Sequence, residues 1–340
     1  MSYQVIARKW RPQSFDEVSG QPHVTTALRN AIRSGRMPHA ILLTGPRGVG
    51  KTTLARLIAR CLNCEKGPTD EPCGSCTTCG EISDGRSIDV QEIDAASRTG
   101  VDDIREVIES IRYAAAPGKH RIYIIDEVHM LSTSAFNALL KTLEEPPGSG
   151  VLILVTDNPN ALLPTIRSRC QTVRFLRVPT DDVVRALARH GIEEDAARRL
   201  ATLCEGCIGD ALSSAGSDDG LVDDLPDVLG GQEALDAFRI AEGWARDPHA
   251  LDLLLTWYRD LMLLATGAPE DRIVHREHLD TLRLIARQET CPSLRNKMRV
   301  IIEAKRRLNR NINAALTMEV LAFKLMQTPL VHVGRMNPLV

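Results

Sequence analysis

ILLTGPRGVGKTTLARLIARCL, residues 41–62, sets a short apolar run, a glycine-rich turn and a helical pattern end to end. Leu54, Leu57, Ile58 and Cys61 recur at the spacing of one helix face, so the unit reads strand, loop, helix. Within it, GPRGVGKT (Gly45 to Thr52) fits the pattern G-x-x-x-x-G-K-[ST]. Glycines let backbone N–H groups wrap phosphate oxygens, and the helix N-terminus adds positive potential. Gly45, Gly48, Val49, Gly50, Lys51, Thr52 and Thr53 are therefore the candidate nucleotide contacts. Lys51 should reach the β/γ-phosphates of ATP, and Thr52 should offer its hydroxyl to Mg²⁺.

Residues 122–125 (IYII) and 151–155 (VLILV) are further apolar runs, of the kind that parallel strands buried on both faces present. Between them, SAFNALLKTLEE is amphipathic and stops at Pro146-Pro147. Alternating strands and helices imply an α/β domain with a parallel sheet. IYIIDEVHML places Asp126 at a strand end, where a carboxylate can organise Mg²⁺. Glu127 follows, where a carboxylate can orient or deprotonate the attacking water. Thr156 follows VLILV and can sense a γ-phosphate, or serve only as a turn residue. Arg169, in RSRC, can act on a neighbouring subunit's ATP as an arginine finger, or form a surface salt bridge.

After Pro179 the strand pattern gives out. Residues 180–215 read as short helices, and 216–231 (GSDDGLVDDLPDVLGG) as an acidic linker or hinge. From 232 to 327 the pattern is helical, carried by FRIAEGWA, LDLLLTWYRDLMLLA, LDTLRLIA and ALTMEVLAFKLM. The expected division is 1–179 for the ATP-binding domain, 180–230 for a helical lid and linker, and 231–340 for a helical C-terminal domain. The 340 residues are 43% hydrophobic and 25% charged with a net charge of −2, so no global basic field announces nucleic acid. The N-terminal stretch has no apolar core of signal-peptide length, and no apolar run is long enough to span a bilayer. A cytoplasmic protein without a membrane partner is expected.

CEKGPTDEPCGSCTTC, residues 64–79, brings Cys64, Cys73, Cys76 and Cys79 into one loop. Two Cys-x2-Cys spacings can set four thiolates around a tetrahedral Zn²⁺, with no open coordination position. A redox dithiol needs only one pair, and an iron–sulfur cluster would want an electron-transfer partner. Disulfides are rare in the expected compartment. Cys204 and Cys207 form a lone Cys-x2-Cys, read as structural, and Cys61, Cys170 and Cys291 read as small apolar residues.

ARKWRPQSFDEVSGQ (7–21), GPRGVGKTT (45–53), the four-cysteine insertion, DAASRTGVDDIRE (94–106), IIDEVHMLS (124–132), NALLKTLEEPP (137–147) and LPTIRSRC (163–170) together resemble the AAA+ clamp-loader ATPases of bacterial DNA polymerase III. The likeness is to the gamma/tau type over about residues 1–180. It implies a P-loop AAA+ domain with a zinc-binding insertion, a small helical lid and an all-α collar domain. It also implies a hetero-oligomer of five clamp-loader subunits that sets a sliding clamp on primer-template DNA when ATP is hydrolysed, through contacts to the DNA backbone. Carried over by motif, Lys51 and Thr52 bind phosphate and Mg²⁺, and Asp126 and Glu127 serve metal and water. Thr156 matches the first sensor, and Arg169 matches the arginine that acts in trans. Ala7, Pro12 and Val18 fall in the stretch that surrounds adenine. The family pattern also points to zinc at the cysteines.

Two features depart from that pattern. EGCIGDAL (205–212) has Gly209 where the family's lid helix carries a second sensor arginine. LDLLLTWYRDLMLLATGAPEDRI (251–273) and NRNINAALTMEVLAFKL (309–325) look like the delta-prime subunit, and the chain ends at Val340 without a long tail. The alternative reading is therefore a stator-like subunit with little turnover that supplies Arg169 to its neighbour. A stand-alone AAA+ DNA helicase is a further rival. Arg98, Thr99, Arg105 and Lys141 are candidate DNA-backbone contacts or solvated helix faces. KMRVIIEAKRRLNR (297–310) reads as an amphipathic helix for packing against partner subunits.

Overall fold

Apolar runs buried on both faces build the centre of a five-stranded sheet in this computed structural model. Residues 10–97, 119–145, 150–215, 241–245, 250–308 and 312–326 are described. All strand pairs are parallel, in the order β2-β3-β4-β1-β5. The strands are β1 (Ala40–Thr44), β2 (Val90–Asp94), β3 (Arg121–Asp126), β4 (Gly150–Thr156) and β5 (Gln171–Arg174). Every residue of β1 is buried, as are Ile122 to Ile125 of β3 and Val151 to Thr156 of β4. That double burial is why these three strands read as uninterrupted apolar runs. The edge strands differ. β2 buries only Val90 and Ile93, and β5 is almost wholly exposed, so neither carries an apolar run and neither is announced by the sequence.

Helices cover the sheet. α1 (Pro22–Arg33) precedes β1, and α2 (Lys51–Asn63) follows the glycine-rich turn. α3 (Thr77–Asp84) lies in the cysteine insertion. α4 (Thr133–Glu144) connects β3 to β4, with Ser132 capping its N-terminus by accepting from Ala135 N–H. Phe136, Leu139 and Leu143 of α4 pack with Leu42, Tyr123, Ile125 and Leu154 of the sheet in one core. α5 (Pro164–Arg167) leads into β5, and α6 (Thr180–Ala188), α7 (Glu194–Leu203) and α8 (Ile208–Ser214) follow as the expected short helices.

The described residues form two compact units. One holds those up to Ile192 together with Cys204–Ser213, and the other holds Glu193–Leu203 and those from Ser214 on. The second unit is helical: α9 (Ala250–Ala265), α10 (Leu279–Gln288), α11 (Cys291–Leu308) and α12 (Ala314–Met326), with residues 241–245 also helical. α11 contains most of the basic run, and Leu294, Ile301 and Ala304 turn into a core with Leu254, Trp257 and Leu261 of α9 and Leu321 and Leu325 of α12. The hinge expected at 216–231 lies outside the described residues.

This helical core also holds buried polar groups. Asp260 is fully buried and accepts the backbone N–H groups of Val274 and His275 at 2.9 and 3.0 Å. His275, equally buried, sits 3.1 Å from the Thr256 hydroxyl. Burial, with Arg199 and other cationic neighbours behind it, holds the imidazole down to about 3 from 6.5. The unfolded chain therefore takes up this proton at a pH where the folded chain refuses it. Stability that is full above pH 6.5 should drain as pH falls toward about 3, by about 1.4 kcal/mol per pH unit. Asp260, pushed up by burial, acts with the opposite sign, so the histidine share is isolated by substitution. Thermal melting by circular dichroism should show the acid slope of the full chain flattened in His275→Gln.

Candidate nucleotide and metal sites

The glycine-rich turn joins β1 to α2 through backbone that only glycine adopts without strain. Gly45 has φ 146°, and a Cβ there would lie 2.6 Å from the Phe175 carbonyl oxygen. Gly50, at φ 95°, caps α2 and accepts from Leu54 N–H at 2.9 Å. Val49 is buried beneath the turn. Lys51 folds back over the loop and donates to the Gly45 and Pro46 carbonyls at 2.7 and 2.6 Å. Burial lowers its pKa, an effect opposed by the carboxylates of Asp157, Glu127 and Asp126. The ammonium is thus held at the loop by two carbonyl oxygens.

Register brings the strand ends together. Thr44 at the end of β1 pairs with Thr156 at the end of β4, and β3 ends beside them at Asp126. The Thr52 hydroxyl donates to Asp126 Oδ2 at 2.7 Å, closing a contact between residues 74 apart in sequence. Asp126 Oδ1 accepts the Glu127 N–H at 2.9 Å. Glu127 takes the left-handed conformation, φ 48°, which turns its side chain out of the strand line. Its pKa is raised, first by burial and then by Asp157 and Asp126. Thr156 is fully buried, and its hydroxyl oxygen accepts the Asn158 N–H at 3.0 Å.

Sequence reasoning passed over two residues here. His129 Nδ1 lies 3.0 Å from Thr156 Oγ1, 3.5 Å from Glu127 Oε2 and 3.7 Å from Asp157 Oδ1. A histidine three residues past a strand carboxylate, and an aspartate after a strand threonine, have no signal of their own. Only the adjacency of β3 and β4 puts them in one place. A third such residue is Gln21, fully buried, whose side-chain amide pairs with both the N–H and the carbonyl of Leu176. It ties the N-terminal stretch to the chain beyond β5. Pro12 and Val18 are partly buried on that stretch, while Ala7 lies outside the described residues, as do Arg98, Thr99 and Arg105.

Gly209 lies directly on the phosphate loop. Its N–H donates to the Gly48 carbonyl at 2.9 Å, and a Cβ at 209 would come within 3.0 Å of that oxygen. Gly48, at φ 74°, lies under the Asp210 carboxylate, whose atoms would be 2.6 Å from a Cβ there. The vacancy seen in sequence is thus a main-chain contact between α8 and the loop. Arg169 goes elsewhere: its guanidinium pairs with Glu144 at 2.6 Å and donates to the Thr165 carbonyl at 3.1 Å. Lys141 is exposed on α4.

The four cysteines of the insertion converge. Cys64 ends α2, Cys76 caps α3 and Cys79 lies in its first turn, and with Cys73 their sulfurs all fall within 4.8 Å of one another. Tetrahedral Zn–S bonds of about 2.3 Å place sulfurs under about 4 Å apart, so small shifts suit this set to zinc. Backbone N–H groups of Ser75 and Cys76 bring the Cys73 thiol down to about 6, whereas burial pushes Cys79 up to about 12. A buried thiol of that kind becomes a thiolate when a cation supplies the missing charge. Cys204 and Cys207 are buried but belong to no such cluster among the described residues, and Cys291 is exposed, not packed as a small apolar residue.

A family profile described as "DNA polymerase III, delta subunit" matches residues 20–179, and one described as "DNA polymerase III, delta subunit, C terminal" matches 228–327. The DNA polymerase III subunit tau of Escherichia coli is 46% identical over 261 residues, covering 75% of this chain and 39% of that protein. The tau subunit of Bacillus subtilis is 34% identical over 360 residues, covering 96% of this chain and 64% of that protein. The chain thus spans between about two fifths and two thirds of these relatives' lengths. Among solved structures, Thermotoga maritima RuvB aligns with a TM-score of 0.48 at 20% identity, covering 82% of this chain and 90% of that one.

The lid contact is tested by Gly206, where φ is 83° and a Cβ would meet the Val178 carbonyl oxygen at 2.4 Å. Gly206→Ala should cost about 1–3 kcal/mol of stability and weaken binding of a fluorescent ATP analogue, read by thermal melting and titration.

Proposed function

The chain belongs to the gamma/tau family of DNA polymerase III clamp-loader subunits, and from that premise we propose that it is an ATP-driven motor subunit of such a loader. Membership displaces the stand-alone helicase reading. The observation that carries the proposal is the assembled site itself, with Thr52 bonded to Asp126, Glu127 beside it and Thr156 in register on the next strand.

In this reading the loop N–H groups and Lys51 bind the triphosphate. Thr52 and Asp126, bonded to each other, are the residues that would hold Mg²⁺, which would neutralise charge on the phosphates. Glu127, set off the strand line by its left-handed backbone, orients the attacking water and draws its proton. Thr156 reads the γ-phosphate. Arg169 leaves Glu144 to reach a neighbouring subunit's nucleotide, where a guanidinium stabilises transition-state charge. Residues 1–179 form the AAA+ domain, 180–230 the lid and linker, and 231–340 the collar that holds the hetero-oligomer together. The complex works in the cytoplasm, loading a sliding clamp onto primer-template DNA. The insertion carries one structural zinc.

A second reading rests on Gly209, which stands at the sequence position of the family's second sensor arginine and offers the loop only its backbone N–H. There the chain turns over little ATP and serves mainly through Arg169.

Lys51→Ala and Glu127→Gln, assayed in the complex reconstituted with its co-purifying subunits, separate the two. The motor reading expects Lys51→Ala to abolish binding of the ATP analogue. Glu127→Gln should keep binding and lower turnover and clamp loading about a hundredfold or more. Unchanged turnover of the complex with Lys51→Ala moves the assignment to the stator reading. Elemental analysis should find one zinc per chain, lost in Cys79→Ser together with thermal stability. A chain that purifies without zinc refutes the metal assignment.

A further inference from the structure

Glu127 directly follows β3 and Thr156 ends the adjacent β4, and in the motor reading they act on opposite sides of one event: one handles the water, the other the γ-phosphate. They share a single neighbour. His129 Nδ1 is 3.0 Å from the Thr156 hydroxyl and 3.5 Å from Glu127 Oε2. We propose that His129 is the positioning residue that couples the phosphate sensor to the hydrolytic carboxylate. The inference rests on the motor reading and adds to it a residue that touches neither phosphate nor water.

Three features support it. Thr156 is wholly buried, and its hydroxyl, already accepting from Asn158 N–H, keeps one proton and one lone pair. His129 holds one of these, so a phosphate oxygen that takes the hydroxyl proton changes what His129 meets. Glu127 Oε2 is buried and has no hydrogen-bond partner among the described residues, although the imidazole nitrogen stands just beyond bonding distance. With its proton on Nδ1 the ring can donate in line to Thr156 or to Glu127, not to both. A ring shift of a few tenths of an ångström exchanges one partner for the other. Asp157 Oδ1, 3.7 Å from the same nitrogen, adds a second carboxylate that keeps Nδ1 facing this cluster.

The chemistry suits imidazole. A lysine or arginine at 129 would draw the carboxylates into fixed ion pairs, whereas an apolar side chain would leave Thr156 free to rotate and Glu127 without a donor. An imidazole nitrogen that can donate to either oxygen links the two without fixing either.

The test is steady-state ATPase of the reconstituted complex, stimulated by clamp and primed DNA, for wild type, His129→Ala, His129→Asn, Thr156→Val and the His129→Ala/Thr156→Val pair. Binding of a fluorescent ATP analogue and thermal melting run alongside. His129→Ala should lower kcat about tenfold or more, with KM and analogue Kd within about twofold of wild type. His129→Asn, whose amide nitrogen stands close to the position of Nδ1, should recover at least about a third of the activity. The double variant should lose little beyond the worse single variant, because both substitutions break one link. Unchanged kcat in His129→Ala overturns the inference, as does a loss that appears equally in Kd, or full additivity in the double variant. A His129→Asn variant that melts like wild type yet stays as inactive as His129→Ala also overturns it. Glu127→Gln distinguishes the underlying reading. If that variant leaves turnover of the complex intact, this chain is not hydrolysing and both proposals fall.

Discussion

The hydrogen bond from Thr52 to Asp126 depends on one constraint: parallel strands must end together. β1 and β3 are not neighbours, since β4 lies between them. The three meet at their carboxyl ends because each is buried on both faces and a one-residue slip would turn its side chains to the wrong layer. Thr44 opposite Thr156 and Ile125 opposite Leu154 fix the register, and the chemistry-bearing residues follow one step beyond. Open parallel sheets collect their ligands at such ends, where loops and helix N-termini converge. The site is thus a consequence of core packing, and substitutions in Leu42 or Leu154 would disturb it without touching any reactive group.

This explains which parts were legible in the sequence. The central strands announced themselves, because double burial writes a continuous apolar run. Asp126 and Thr156 could be placed because each directly follows or ends such a run. β2 and β5 were silent, being edge strands with one face or less in the core. His129 and Asp157 were silent for another reason. Their meaning lies in a cross-strand distance, and neither residue type nor spacing encodes it. Gly209 shows the limit from the other side. The sequence presented an absence, a missing arginine, while the structure presents a close approach that a side chain would obstruct.

The contact of α8 with the glycine-rich loop has a physical implication for the motor reading. Lys51 spends its donors on loop carbonyls, Gly209 donates to Gly48, and the Asp210 carboxylate lies over the same glycine. The Lys51 ammonium and the Gly209 N–H are donors that phosphate oxygens could take over, and an acidic side chain beside the loop disfavours an arriving anion. On the motor reading proposed above, nucleotide displaces some of these contacts, so binding and a change at α8 are energetically linked even without a sensor arginine. A backbone contact is also cheaper to break than a guanidinium–phosphate pair, which favours a lid that responds weakly.

The cysteine cluster bears on the far end of the same helix. α2 runs from Lys51 to Asn63, and the residue that caps its C-terminus, Cys64, is itself a member of the cluster. Asn63 donates to the His120 carbonyl and accepts its N–H, at 2.9 and 2.7 Å, immediately before β3. Asp70, within the loop, pairs with Arg33 at 2.7 Å and approaches Arg29 at 3.9 Å on α1, and Arg29 also meets Asp16 at 2.7 Å. Arg33 holds the Asp70 carboxyl below its ordinary range, though the exposure of Arg33 makes the pair worth little alone. Together these contacts tie the insertion to α1, to the start of β3 and to the end of α2. A helix held at its C-terminus cannot tilt freely at its N-terminus, where the phosphate loop lies. The cysteine cluster thereby narrows the positions that Lys51 and Thr52 can take.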